Sequence, residues 1–314
     1  MGTTKTDPQL HTENGHAGAS EPSRVSVLKT YKMYIGGKFP RTESGRFFGL
    51  ADGQGQLIAN VCRGSRKDFR DAVGAARKAQ KGWAARAAFN RGQILYRIAE
   101  MLEGRTYQFE AELVQTGASP EAARQEVLTA IDRLIYYAGW CDKYQQIFSS
   151  VNPVASSHFN FSLPEPTGVV AAFAPEENGL VGLVSVIAPA IAGGNAVVVL
   201  ASDQHPTAAI SFAEVLHSSD VPGGVVNILT GHRTELLGQF STHMDVNALV
   251  YTGSDAEQIK SIQENAAINV KRLIVRGEDT QSEASQSPYH IIDTQETKTT
   301  WHPVGGSYGA GGGY

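Results

Sequence analysis

Cysteine is almost absent. The 314-residue chain holds two, Cys62 and Cys141, too few for a disulfide scaffold or a cysteine-rich zinc module. Long apolar runs are missing too. The most hydrophobic stretch, residues 180–199, is broken by Gly, Ser, Pro and Asn, which excludes a membrane span. No basic-then-apolar leader opens the chain, so the expected compartment is the cytoplasm. Nor is there an excess of positive charge. The net charge is −4, which argues against a general nucleic-acid binder. The histidines between His158 and His302 fall in no metal-ligand spacing, so no metal is expected.

What is present is a globular composition, long enough for one large or two ordinary domains. Residues 1–30 are polar and read as a disordered arm, and 305–314 (GGSYGAGGGY) as a flexible Gly-rich tail. YKMYIGGKF, at 31–39, reads as a short strand pair turning at Gly36-Gly37. Helical spacing predicts helices from about Arg66 to Trp83, around Ile94–Leu102, over 106–116, and from Pro120 to Tyr144. Basic residues crowd 63–97. They recur with Ala and Leu at helical spacing, which fits the solvated side of two amphipathic helices rather than an anion-binding face.

Beyond Tyr144 the pattern changes. Residues 147–163 read as two strands turning at Asn152-Pro153. Five continuous apolar runs follow, at 168–175, 195–200, 224–231, 246–254 and 270–277, alternating with helical segments. Apolar strands alternating with helices predict an α/β fold with a doubly wound, Rossmann-like parallel sheet.

Ligands of such sheets sit beyond the carboxyl ends of the strands. Pro175-Glu176-Glu177-Asn178-Gly179 follows the first strand, and Thr252-Gly253-Ser254-Asp255 the fourth. The latter is the best phosphate signal, small residues leading into a helix N-terminus. It is also an ordinary helix cap, and Asp255 would repel a phosphate. Asp203, after the second strand, could bond a ribose hydroxyl or cap the helix at Pro206. No G-x-G-x-x-G follows the first strand.

The succession EPTGVV, APAIAGGNAVVV, PGGVVNILTG and HMDVNALVYTGS, preceded by the helix block and hairpin, resembles the NAD(P)-dependent aldehyde dehydrogenase superfamily from about Tyr31 to Gly277. The resemblance implies a coenzyme-binding domain over 31–277, with an oligomerisation β-hairpin at 147–163 that crosses to a neighbouring subunit. It leaves Asp203, Gly231, Gly253 and Ser254 as vestigial coenzyme contacts.

The departures are chemical. Glu177 stands where the family's first-strand loop has an oxyanion-binding Asn, and a carboxylate repels an oxyanion. Leu200 stands at the ribose-binding Lys, and Arg276 at the general-base Glu. The nucleophilic Cys and its catalytic domain have no counterpart. Residues 278–288 read as a polar linker in their place, and 289–304 resemble the family's final strand, which pairs with the oligomerisation hairpin. Cys62 and Cys141 read as buried small hydrophobes.

The chain therefore resembles the degenerate second module of tandem aldehyde dehydrogenases. The expected function is an inactive structural or regulatory subunit. It would assemble with a full-length aldehyde dehydrogenase, or with itself, through 147–163 and 289–304. NAD or NADP binding is expected to be weak, with no catalytic residue, no metal, no nucleic acid and no membrane. The alternatives are an NAD(P)-dependent oxidoreductase acting on aldehydes and a nucleotide-sensing module.

Overall fold

The computed structural model describes residue 2 and residues 27–277 and 279–304. The tail at 305–314 and nearly all of the expected N-terminal arm lie outside those residues. The arm's inner boundary moves, because Lys29 and Thr30 already pair with Ala59 and Asn60. Three short strands, β1 (Lys29–Tyr31), β2 (Phe47–Ala51) and β3 (Leu57–Cys62), form a sheet in the order β1-β3-β2. The expected hairpin over 31–39 shrinks to one bridge between Ile35 and Lys38. Tyr34, fully buried, instead exchanges backbone hydrogen bonds with Ile228 in the central sheet.

Five helices follow: α1 (Arg66–Ala84), α2 (Ala88–Glu103), α3 (Thr106–Gln115), α4 (Pro120–Trp140) and the short α5 (Tyr144–Phe148). Ser65 and Asp68 start α1 as a reciprocal capping box, and Ser119 followed by Pro120 starts α4. The basic residues of 63–97 mostly tie elements together: Arg63 pairs with Glu235, Lys67 with Glu43, and Arg77 donates to Asp245 O and Asn247 Oδ1. Arg91 departs from the solvated-face reading, since it is buried.

The expected hairpin at 147–163 is shorter at its start. Ile147 and Phe148 complete α5, and the strands are β4 (Ser150–Asn152) and β5 (His158–Pro166). The central sheet comprises β6 (Val169–Phe173), β7 (Ala196–Leu200), β8 (Val226–Leu229), β9 (Ala248–Thr252) and β10 (Arg272–Arg276). All are parallel, in the order β10-β9-β6-β7-β8. The crossover helices are α6 (Val181–Ala192), α7 (Pro206–His217), α8 (Arg233–Thr242) and α9 (Ala256–Ala266).

Alternation explains the continuous apolar runs. In β6, Val170 and Ala172 join the layer holding α2, α4, α6 and α7, while Val169, Ala171 and Phe173 join the layer with α1 and α8. A strand covered on both faces has no polar side.

A short helix α10 (Tyr289–Ile292) leads into β11 (Gln295–Pro303), which pairs antiparallel with β5 along its length. The second small sheet is thus β11-β5-β4. β5 is therefore a central strand, and Ile291 is buried in the main core. No helix among the described residues is long and apolar enough to cross a membrane.

The middle of this architecture is α6, buried on every side. An apolar helix supplies no caps of its own, so its terminal N–H and C=O groups need outside partners. Glu126 of α4, 5% exposed, accepts from Leu180 N at 2.7 Å and Val181 N at 3.1 Å. At the other end Trp83 donates to Ile191 O, Arg91 to Ala192 O and Gln295 to Gly193 O. Each charge also opposes the helix dipole at its end. Burial raises the Glu126 carboxyl pKa, while the two amide bonds hold it down. Glu126→Ala should therefore destabilise the chain by about 1–3 kcal/mol, leaving two buried donors orphaned. Glu126→Gln, which retains a carbonyl acceptor, should cost less than half as much. Urea unfolding of the two variants measures the difference.

Candidate functional site

β6 has β7 on one side and β9 on the other, so the chain reverses winding direction there. A doubly wound sheet opens its ligand crevice at that point, beyond the strand ends. The structure has a cavity of about 290 Å³ in this place. Pro175, Glu176 and Glu177 after β6, Thr252 at the end of β9 with Gly253 and Ser254 after it, and Arg276 and Gly277 at the end of β10 line it. Ser185 and Val186 of α6, Arg233, and Thr280, Ser285 and His290 complete it.

Of the four predicted coenzyme contacts, Gly253 and Ser254 line the cavity, and Asp203 and Gly231 do not. Asp203 meets His232 Nδ1 at 3.0 Å, and its amide donates to Glu176 Oε2. It does not cap α7 either, because Ser202 Oγ takes the Gln204 and His205 amides. Gly231, at φ +146°, lets the β3–α1 connection cross closely; a Cβ there would stand 3.0 Å from Gly64 N. Leu200 packs in the α1-side core, so an apolar side chain fills the register of the family's ribose-binding amine.

The chain's own carboxylates occupy the two helix starts at the crevice. Asp255 Oδ1 accepts from Glu257 N at 3.0 Å and Gln258 N at 3.1 Å, capping α9. Glu126 does the same for α6. A phosphate needs those N–H groups and the positive dipole end, and both places already hold negative charge. The residues present do not fit a dinucleotide's pyrophosphate.

Arg233 closes the strand ends. It is 15% exposed, donates to Ala174 O at 2.7 Å and Thr252 O at 2.9 Å, and lies over the Phe173 and Tyr251 rings. Glu176 Oε1 sits 3.4 Å from it. Burial raises the Glu176 pKa, against the lowering by Arg233.

Part of the stretch expected as a plain linker packs on the fold, with Thr280 and Ser285 lining the cavity. Arg133 of α4, fully buried, donates to Ser185 Oγ, Thr280 O and Ser282 O. Asn178 donates to Thr280 Oγ1 and accepts from Gln281 Nε2. Tyr137 hydroxyl meets Ser287 O and His290 Nδ1. Arg276 pairs with Asp293 at 3.2 Å. The polar composition conceals this packing because the partners are distant in sequence. Glu126 and Arg133 were legible only as two charges on the buried stripe of α4, beside Val127, Ala130 and Leu134.

No cysteine lines the cavity among the described residues; Cys62 and Cys141 are both buried. Cys141 donates to Tyr137 O, and burial pushes its thiol up to about 12, so no thiolate forms near neutrality. Glu177 is exposed at the cavity, and the Asn178 side chain is bonded to Thr280 and Gln281. No group of three or more metal-ligating side chains occurs among the described residues.

The model of the "Aldehyde dehydrogenase family" matches residues 42–278. The benzaldehyde dehydrogenase (mitochondrial) of Antirrhinum majus is 33% identical over 261 residues, covering 81% of this chain and 48% of that protein. Omega-crystallin of Enteroctopus dofleini is 31% identical over 263 residues, covering 82% of this chain and 52% of its own length. Among solved structures, the NAD+ complex of an aldehyde dehydrogenase from Bacillus cereus superposes with a TM-score of 0.74 at 26% identity, covering 78% of this chain and 50% of that one. The chain spans about half the length of the curated relatives it matches.

Two outcomes follow from the geometry. In the native chain neither thiol should react with a bulky disulfide reagent at pH 8, and both should react once the chain is unfolded; a native-state titration counts them. His290 is held neutral by burial and by the nearby Arg276 and Arg133, which lower its pKa from 6.5 to about 4. The unfolded chain takes up that proton near pH 6.5 and the folded chain only near pH 4. Stability should therefore fall as pH drops through that window, and His290→Gln should flatten the fall. Urea unfolding at a series of pH values tests it.

Proposed function

The chain belongs to the aldehyde dehydrogenase family, and we propose that it is a catalytically inactive subunit that assembles with a full-length member of the family or with its own copy. The observation that carries this reading is the path from β10 to β11. Only residues 277–294 separate β10 from β11 in the sequence, and Thr280 and Ser282 among them accept hydrogen bonds from Arg133. No stretch of catalytic-domain size stands between the two strands. The site's composition supports the same reading. It offers no reachable thiolate, a carboxylate at the oxyanion register and an arginine at the base register.

Assembly is supported by the small sheet. Val151 of β4, Trp301 of β11 and Phe159 of β5 are 68%, 56% and 47% exposed. The outer backbone edges of β4 and β11 are unpaired among the described residues. Strand addition satisfies both the apolar surface and the backbone groups.

Coenzyme binding is expected to be weak. The places for phosphate hold Asp255 and Glu126, and Leu200 cannot donate to a ribose. Calorimetry yielding a low-micromolar dissociation constant for NAD or NADP contradicts that expectation.

The purified chain alone should show no aldehyde-dependent reduction of NAD or NADP. Light scattering after size exclusion should find at least a dimer. Trp301→Asp should weaken the assembly while leaving urea unfolding of the central sheet unchanged. A soluble monomer at micromolar concentration that ignores both Trp301→Asp and a co-expressed full-length aldehyde dehydrogenase overturns the assembly reading. Turnover surviving Cys62→Ser and Cys141→Ser overturns the inactivity.

A further inference from the structure

In an antiparallel ladder, opposite residues alternate between pairs that exchange backbone hydrogen bonds and pairs that do not. The second kind turn their N–H and C=O groups away from the partner strand. The bonds at the two ends of the β11–β5 ladder fix which residues are which. Thr167 N donates to Thr294 O at 3.2 Å, and Val304 N donates to Ser157 O at 3.1 Å. Both pairs continue the register of the strand between them. Glu296, Lys298, Thr300 and His302 therefore bond to β5, and Gln295, Thr297, Thr299, Trp301 and Pro303 turn their backbone groups to the free edge.

That edge is closed at both ends. Gln295 O accepts from Arg272, and Pro303 has no N–H to give. Thr297, Thr299 and Trp301 are left between them, all exposed and all without a backbone partner on that side among the described residues. This short run is complementary to itself. About a two-fold axis at Thr299, Thr299 exchanges bonds with Thr299 of a second copy, and Thr297 with the copy's Trp301. The charges select the same register. It sets Glu296 against His302 of the copy and Lys298 against Thr300. A slide of one pair toward the strand's start sets Lys298 against Lys298, and like charges directly opposite destabilise a ladder. A slide the other way sets Lys298 against His302 and brings Pro303 opposite Thr297, where the missing N–H drops a bond at each end.

We propose that β11 pairs antiparallel with β11 of a second copy of this chain, centred on Thr299, so that the two small sheets join into one. This pairing rests on the assembly reading above and adds to it the partner and the register. A two-fold contact of this kind closes with two chains, because the same surface serves on both sides. It satisfies the outward N–H and C=O groups of both strands at once. It also sets Trp301, 56% exposed, beside Thr297 of the copy, and aromatic and β-branched residues opposite each other stabilise a ladder.

The test uses the full chain with its two native thiols in place, since both are buried. Light scattering after size exclusion should find a dimer at micromolar concentration. Thr299→Cys and Thr297→Cys, each treated with a short bis-maleimide, read the register. Centred on Thr299, the two 299 positions lie about 5.5 Å apart, and the two 297 positions about 14 Å apart along the strands. Cross-linked dimer should therefore form at least about tenfold faster at 299 than at 297. Thr299→Pro removes an N–H that faces outward rather than β5, and Thr299→Lys sets two cations opposite each other. Each should raise the dimer dissociation constant at least about tenfold. If Thr299→Pro fails to fold, Thr299→Lys and the cross-linking decide. A monomer at micromolar concentration overturns the pairing, and capture of a full-length aldehyde dehydrogenase by that monomer still upholds the assembly reading. A dimer that ignores both substitutions, or that cross-links no faster at 299 than at 297, overturns the pairing and leaves the assembly reading standing.

Discussion

Everything in this fold leans on α6, a helix with no polar face. Buried on every side, it cannot be solvated at its ends, and each of its terminal polar groups has to be met by another element. Glu126 of α4 meets the first amides. Trp83 of α1, Arg91 of α2 and Gln295 of β11 meet the last carbonyls. Four elements from both ends of the chain are thereby fixed around one helix, and the strand ends beside it are fixed with them. The involvement of Gln295 matters most. The segment after the central sheet is part of the same closure, since Gln295 both pairs with Pro166 of β5 and caps the end of α6.

That closure has a chemical consequence at the crevice. A carboxylate that caps a helix start removes the feature by which such sheets hold phosphate, and it does so at α6 and again, through Asp255, at α9. Arg233 uses its N–H groups on Ala174 O and Thr252 O, closing the backbone of β6 and β9. The crevice is therefore kept open in shape while its polar backbone groups are taken. A site of this kind is poor at stabilising a developing oxyanion, which needs donors aimed at one point and free of other partners.

The central sheet was legible because burial on both faces writes itself as uninterrupted Val, Ile, Leu and Ala runs. The helices flanking it were legible by period, and Pro120 and Ser119 marked the start of α4. The sheet of β1, β2 and β3 was not, because its strands are short and half-exposed and pair across a turn-rich stretch. Tyr34 reads locally as part of a hairpin, yet its backbone partner is Ile228. The packing of 279–293 was hidden for the same reason. Its composition is that of a linker, and the arginine that orders Thr280 lies 147 residues away. At the site, the small residues after β9 were visible and do line the cavity, whereas Asp203 was a sound cap by type and lost that place to Ser202. Residue type narrows what a position can do. Which of two suitable neighbours does it depends on geometry that only the packed chain has.

The small sheet constrains how a partner could join. β5 is paired on both sides, so only β4 and β11 have free edges, and β4 is three residues long against nine for β11. A strand adding to β11 could form several times as many backbone bonds as one adding to β4, which makes β11 the stronger anchor. β11 is also exposed on nearly all its residues from Glu296 to Pro303, on both faces, a condition natural sheets avoid unless the strand is charged or covered. Its one cation, Lys298, is already paired to Glu165 across the β5 ladder. The Thr-Thr-Trp run that follows carries no charge to turn a partner strand away. Selectivity at that edge must then come from shape and from Trp301, whose ring packs on His158 and leaves more than half of the residue in water.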